Sequence, residues 1–145
     1  MPVAPGVLDA NILAYAIDAD APQNAAARAL LEAARDPAAR LYVTAQIICE
    51  FYSVITNPKR VAKVTAPADA VRIVSNVLAL PGLYVLPTPS QTVRLLVELL
   101  QQKPVSGAGI FDLQIIATMQ ANGIERIYTF DSGFQGVAGL TAITP

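Results

Sequence analysis

Short apolar runs alternate with longer helical stretches along the whole 145-residue chain, and this alternation limits the fold more than any other feature. Val7-Leu8, Leu41-Tyr42-Val43, Leu83 to Leu86, Ile127-Tyr128-Thr129 and Leu140 to Ile143 read as short strands. Between them, composition and periodicity predict helices over Asn11 to Asp18, Gln23 to Arg35, Ala45 to Thr56, Pro67 to Leu80, Ser90 to Gln101 and Phe111 to Asn122. The helix at Ser90 is amphipathic, with Val93, Leu96, Val97 and Leu100 on one side. Asn11 and Thr44 suit N-caps, because a short polar side chain can accept from the unpaired amides of a first turn. Pro67 fits a first turn and Gly123 a C-terminal cap, while Asp36-Pro37 and Asn57-Pro58 end two helices. Lys59 to Val64 is a basic segment with no clear period. Strands that alternate with helices pair in parallel, since the chain must cross a sheet face before each new strand. The expectation is one α/β domain over residues 1–145, with a mostly parallel sheet covered on both faces.

Charge is scarce. The chain is 54% hydrophobic and 14% charged, well below the roughly 25% charged residues of an average soluble domain. Some apolar surface should therefore stay uncovered and need a partner, a second copy or another protein. The net charge of −1 argues against a protein that holds nucleic acid mainly by neutralising phosphates. It leaves open an enzyme that meets phosphates through bound metal. The absence of histidine removes histidine-based triads, Cys–His nucleophiles and histidine-containing zinc sites. The single cysteine, Cys49, lies in an apolar helical pattern and is expected to be a buried, inert thiol. No disulfide can form within the chain, which fits a reducing cytoplasm. The N-terminus lacks the basic and apolar regions of a signal peptide. The most apolar candidate for a membrane span, Val71 to Leu86, is interrupted by Arg72, Ser75, Asn76, Pro81 and Gly82. The expectation is a cytoplasmic protein with no membrane association.

Against so few charges, the acids carry information. Asp9 directly follows the first strand and Asp131 lies just beyond the fourth. In a parallel sheet the carboxyl ends of the strands open on one edge, where ligands bind. Either acid could instead cap a helix or a turn. Glu50 has Ile47, Phe51 and Val54 as helical neighbours, so its carboxylate shares the core-facing stripe. Asp112 repeats the pattern with Ile115, Ile116 and Met119. A carboxylate on such a stripe is costly unless it is compensated. Glu50 could reach solvent, and Asp112 could simply complement the dipole of its first turn. The remaining acids, including Asp18, Asp20 and Asp69, fit solvated helix ends and faces.

Two carboxylates about 4 Å apart repel by about 4 kcal/mol at an effective dielectric near 20. A group of them must bind protons or a cation. Oxygen-only ligands favour Mg²⁺ or Mn²⁺. Such an ion can polarise a phosphoryl oxygen and activate water, which is the chemistry of phosphodiester hydrolysis. Lys59, Arg60 and Lys63 are the only tight basic group; they could touch a nucleic-acid backbone or be a solvated surface.

The residues resemble those of the PIN-domain ribonucleases, and within them the VapC-like toxins of bacterial toxin–antitoxin pairs. Val7-Leu8-Asp9-Ala10-Asn11 is similar to the family's opening strand and Asp-x-Asn motif. Thr44 to Phe51, with Glu50, is similar to its second acidic motif, and Phe111 to Met119, with Asp112, to its third. Ile127 to Phe134 is similar to the closing Thr-x-Asp motif, with Thr129 and Asp131. The similarity runs from about Val7 to Ile143, and the order and spacing carry more than any one motif. It implies a three-layer α/β/α sandwich, single-stranded RNA as substrate, Mg²⁺ or Mn²⁺ as cofactor, a cognate antitoxin and often a homodimer. Asp9, Glu50, Asp112 and Asp131 carry over as catalytic, metal-site acids, with Asn11 and Thr129 as supporting polar neighbours. Many relatives have a further acid after the last motif, where this chain has Ser132 and Gly133. One well-held ion and a weak second one are expected, with hydrolysis leaving a 5′-phosphate and a 3′-hydroxyl.

The alternative of a different class is a non-catalytic binding or regulatory module on the same fold. A phosphoacceptor receiver domain needs paired acids after the first strand and an Asp after a central strand; Asp9 has no acidic neighbour, and Leu83 to Leu86 leads into Pro87-Thr88-Pro89. Ser106-Gly107-Ala108-Gly109 carries no phosphate-binding signature.

Overall fold

A computed structural model, which describes residues 2–145, contains a single five-stranded sheet. The strands are β1 (Gly6–Leu8), β2 (Leu41–Val43), β3 (Leu83–Val85), β4 (Arg126–Tyr128) and β5 (Thr141–Ile143), in the order β3-β2-β1-β4-β5. Every neighbouring pair is parallel. Six helices surround the sheet: α1 (Ala10–Ala16), α2 (Asn24–Ala33), α3 (Ala45–Thr56), α4 (Pro67–Leu78), α5 (Gln91–Gln102) and α6 (Gly109–Ala121). Helix α1 packs on α2 and α3, α3 packs on α4, and α5 packs on α6. Right-handed crossovers account for this grouping, with α1 to α4 on one face and α5 and α6 on the other. The result is the expected three-layer α/β/α sandwich.

Three-residue strands cannot hold a sheet together by their ladders alone, so the buried side chains must do most of the work. Val7, Leu8, Leu41, Val43 and Ile127 from the inner strands are fully buried. Ile47, Phe51 and Ile55 of α3 close one face, and each such side chain contributes about 2 kcal/mol by leaving water. On the other face, α6 buries Leu113, Ile115, Ile116, Ala117, Thr118 and Met119. Its apolar surface is far wider than one stripe because α5 covers the side that the sheet does not.

Local signals placed several boundaries correctly. β2 and α3 match the sequence reading residue for residue, and Thr44 caps α3 by accepting from the Ile47 amide at 3.1 Å. Helix α6 ends in a Schellman turn: Gly123 takes φ +70°, and Ile124 N donates to Met119 O at 3.0 Å.

Other expectations change. Asn11 does not cap α1; Asp9 does, accepting from the Ala10 amide at 2.7 Å, and Asn11 lies inside the helix with its side chain turned to β4. Cys49 is exposed, because the buried face of α3 runs through Ile47, Phe51 and Ile55. On α5 the buried positions are Thr92 and Leu99, while Val93 is 66% and Val97 47% exposed. The helix is rotated so that part of its apolar stripe faces outward. Among the described residues, no helix is long and apolar enough to cross a membrane.

Candidate active site

The central strand β1 has β2 on one side and β4 on the other, so the connections leave it in opposite directions. A crevice opens where strand order reverses, outside the carboxyl ends of the two strands. Asp9 follows β1 and Thr129 follows β4 at this point, and Asp9 N donates to Tyr128 O at 3.1 Å.

Asp9 is 6% exposed, and its carboxylate is held from several directions. Oδ1 accepts from Ala10 N at 2.7 Å, while Oδ2 accepts from Thr129 Oγ1 at 2.8 Å and from Asn11 Nδ2 at 3.2 Å. Asn11 Oδ1 in turn accepts from Phe130 N at 3.1 Å, and Thr129 Oγ1 accepts from Asp131 N at 3.0 Å. Asn11 and Thr129 thus tie β1 and α1 to the segment that carries Asp131. The Phe130 ring adds an edge-on contact with Tyr15 of α1, with centroids 5.4 Å apart.

The other acids arrive on helices and a turn. Helices in a parallel α/β sandwich run back across the strands, so the first turns of α3 and α6 start on the carboxyl edge. Glu50 lies about a turn into α3 and Asp112 in the first turn of α6; both are half-buried. Asp131 is exposed and caps a single 3₁₀ turn, accepting from Gly133 N at 2.9 Å. A Cβ on Gly133 would lie 3.3 Å from both Asp131 Oδ1 and Asp112 Oδ2, so these carboxylates flank one point.

Asp9, Glu50, Asp112 and Asp131 all line one cleft of about 1210 Å³. Within it the acids act on one another through their charges. Burial, then the charges of Asp131, Asp9 and Glu50, push the Asp112 carboxyl up to about 6, against a smaller opposing effect of Lys103. Asp9 is also raised by burial, with Glu50 and Asp131 adding to the shift, although hydrogen bonds from Thr129 and Ala10 favour its charged form.

The cleft extends beyond the acids. Asp18, Asp20, Asp69, Arg60 and Lys63 also line it, as does Cys49. Three of these are acids whose spacing matched ordinary solvated positions. Gln46 was not legible as a site residue: its Nε2 donates to Glu50 Oε1 and to Phe111 O, each at 2.8 Å. The i,i+4 spacing to Glu50 was readable; the contact with α6, 65 residues away, was not.

A carboxylate-only donor set suits a hard divalent cation, and the crowded negative charge gives such an ion something to neutralise. Among the described residues, however, no three carboxylates or thiols stand in a ready ligating cluster. The acids share a cleft without forming a closed cage. By chemistry and charge, the residues present suit a hard divalent cation.

A covered parallel sheet with acids gathered at its switch point defines an α/β protein that receives its ligand outside the strands' carboxyl ends. The chain belongs to the PIN domain family, which matches it over residues 6–140. No curated protein sequence matches it. Among solved structures, VapC20 of Mycobacterium tuberculosis, described as a sarcin–ricin loop-cleaving toxin, superposes with a TM-score of 0.70 at 17% identity, covering 96% of this chain and 98% of that one. A toxin–antitoxin complex from Klebsiella pneumoniae gives 0.60 at 19% identity, with 96% of each chain covered. VapBC2 from Rickettsia felis, bound to a DNA fragment from its promoter, gives 0.64 at 18% identity, covering 94% of this chain and 96% of that one. At these identities the shared property is the fold.

Proposed function

We propose that the chain is an endoribonuclease that hydrolyses phosphodiester bonds in single-stranded RNA, using Mg²⁺ or Mn²⁺, and acts as the toxin of a toxin–antitoxin pair. The observation that carries this reading is the convergence of Asp9, Glu50, Asp112 and Asp131 on one cleft, with the Asp112 carboxyl pushed up to about 6 by burial and its acidic neighbours. Family membership and the fold shared with a sarcin–ricin loop-cleaving toxin support it.

Asp9, Glu50, Asp112 and Asp131 would hold the ion. When bound, it supplies the charge that polarises a phosphoryl oxygen and makes water a better nucleophile. The chain's own residues set where this happens. Asp9 is the fixed point, because both of its oxygens are hydrogen-bonded; Asn11 and Thr129 orient it. Glu50 and Asp112 bring charge from two helices, and Asp131 does so from the turn after β4. Arg60 and Lys63 line the same cleft and suit the phosphates that flank the scissile one.

The test is cleavage of end-labelled single-stranded RNA. Mn²⁺ should support cleavage, a chelator should stop it, and the products should carry 5′-phosphate and 3′-hydroxyl ends. Products with 2′,3′-cyclic phosphate would contradict hydrolysis by water. No cleavage over a broad RNA panel, antitoxin absent, would favour the non-catalytic binding module. Combining Arg60→Ala with Lys63→Ala should weaken RNA binding and reduce the slope of log affinity against log salt by about 1.4, since each single-strand phosphate contact contributes roughly 0.7. Filter binding at several salt concentrations measures it; an unchanged slope would remove the two cations from the RNA path.

An antitoxin and a second copy of the chain are the proposed protein partners. The exposed Val93 and Val97 on α5 and exposed Phe111 support association of this kind. The toxin–antitoxin complexes that share the fold support the antitoxin.

A further inference from the structure

We infer that Gln46 is a positioning residue of the acidic site, whose side-chain amide ties the Glu50 carboxylate to the first turn of α6 and thereby sets the affinity for a divalent cation. The inference rests on the proposed metal-dependent reading. Gln46 occupies the first turn of α3, one turn before Glu50. Its Nε2 lies 2.8 Å from Glu50 Oε1 and 2.8 Å from Phe111 O. A carboxylate and a peptide carbonyl only accept, so the amide nitrogen must face both, and its two hydrogens serve one acceptor each. Among the described residues, Gln46 is the one hydrogen-bond donor to the Glu50 side chain.

The second acceptor makes the contact more than a helix-surface pair. Phe111 directly precedes Asp112 in the first turn of α6. Holding its carbonyl holds the backbone from which Asp112 projects. One neutral side chain therefore couples two acids on different helices. Glu50 raises the Asp112 carboxyl through its charge, so the two repel across the cleft. A neutral double donor restrains this pair without adding a charge that would compete with a cation. Hydrogen bonds to metal-site carboxylates from outside the site typically change metal affinity 10- to 100-fold.

Gln46→Met keeps the length and helix preference of the side chain and removes both donors. Calorimetric titration of the full chain with Mn²⁺ should show affinity about 10-fold or more below wild type. RNA cleavage at saturating Mn²⁺ should return to within a few-fold of wild type, because the ligands themselves remain. Gln46→Asn keeps an amide one bond too short to span both acceptors; it should show the same loss and keeps the test open if Gln46→Met fails to fold. Wild-type Mn²⁺ binding with equal affinity in both variants would overturn the role of Gln46 and leave the nuclease reading standing. A cleavage defect that excess Mn²⁺ does not relieve, together with a large fall in melting temperature, would reduce Gln46 to a structural bridge and also overturn it. Absence of Mn²⁺ binding by wild type would overturn both.

Discussion

Asp112→Asn is expected to abolish RNA cleavage while making the metal-free protein more stable. Asparagine keeps the shape of the side chain and removes the charge. Cleavage should fall by about a thousandfold or more, a loss of about 4 kcal/mol of transition-state stabilisation. Stability should move the other way. The carboxyl is pushed up to about 6 from an ordinary value of 3.8, first by burial and then by Asp131, Asp9 and Glu50. The folded chain thus holds this proton more tightly than the unfolded chain does. Between about pH 4 and 6 the folded state binds more protons, so stability falls as pH rises through that window. Above it, the ionised group remains a cost. Much of this side chain is open to solvent, so the screened cost is on the order of 1 kcal/mol. Asp112→Asn should raise the melting temperature at pH 7 by about 3 °C and flatten its decline between pH 4 and 6. Melting curves in chelator across that range check it. A destabilised variant, or one that still cuts RNA, would count against the role assigned to Asp112.

Gly82→Ala should have the opposite profile, a large loss of stability with the cation site intact. Gly82 leads into β3 at the amino edge of the sheet, away from the acids. Its amide donates to Ala34 O at 2.7 Å and its carbonyl accepts from Leu41 N at 2.9 Å. An added Cβ would lie 2.8 Å from Ala34 O, and closer still to Asp36 O. Both obstacles are backbone and cannot swing aside as a flexible side chain would. Relief requires the turn before β3 to move off the end of α2, at about 3 kcal/mol. The melting temperature should fall by about 10 °C. Mn²⁺ affinity measured well below that transition should match wild type. A near-neutral effect on melting would show that the corner between α2 and β3 is looser than its contacts imply.

These two substitutions separate what was legible in the sequence from what was not. Gly82 stood out only as an interruption in an apolar run; its close approach to Ala34 depends on β2 and β3 lying side by side. Asp112 was legible as an acid on a buried stripe, but the source of its raised pKa was not. Asp131, Asp9 and Glu50 come near it only through the fold. Cys49 was misread because periodicity identifies an apolar stripe without showing which edge of it a neighbour covers.

Local chemistry determined the elements by itself. Thr44 before an apolar helical run and Asn57-Pro58 after it set α3, and Gly123 set the end of α6, because such signals act over about one helical turn. The same reading found the four acids of the cleft. Tertiary structure decided how they meet. Placing β4 beside β1 brings Thr129 Oγ1 within 2.8 Å of Asp9, across 120 residues of chain, and makes Asn11 a bridge rather than a cap. It also joins Gln46 to Phe111. Strand order depends on how whole helices cover the sheet, and no short window of sequence contains that information.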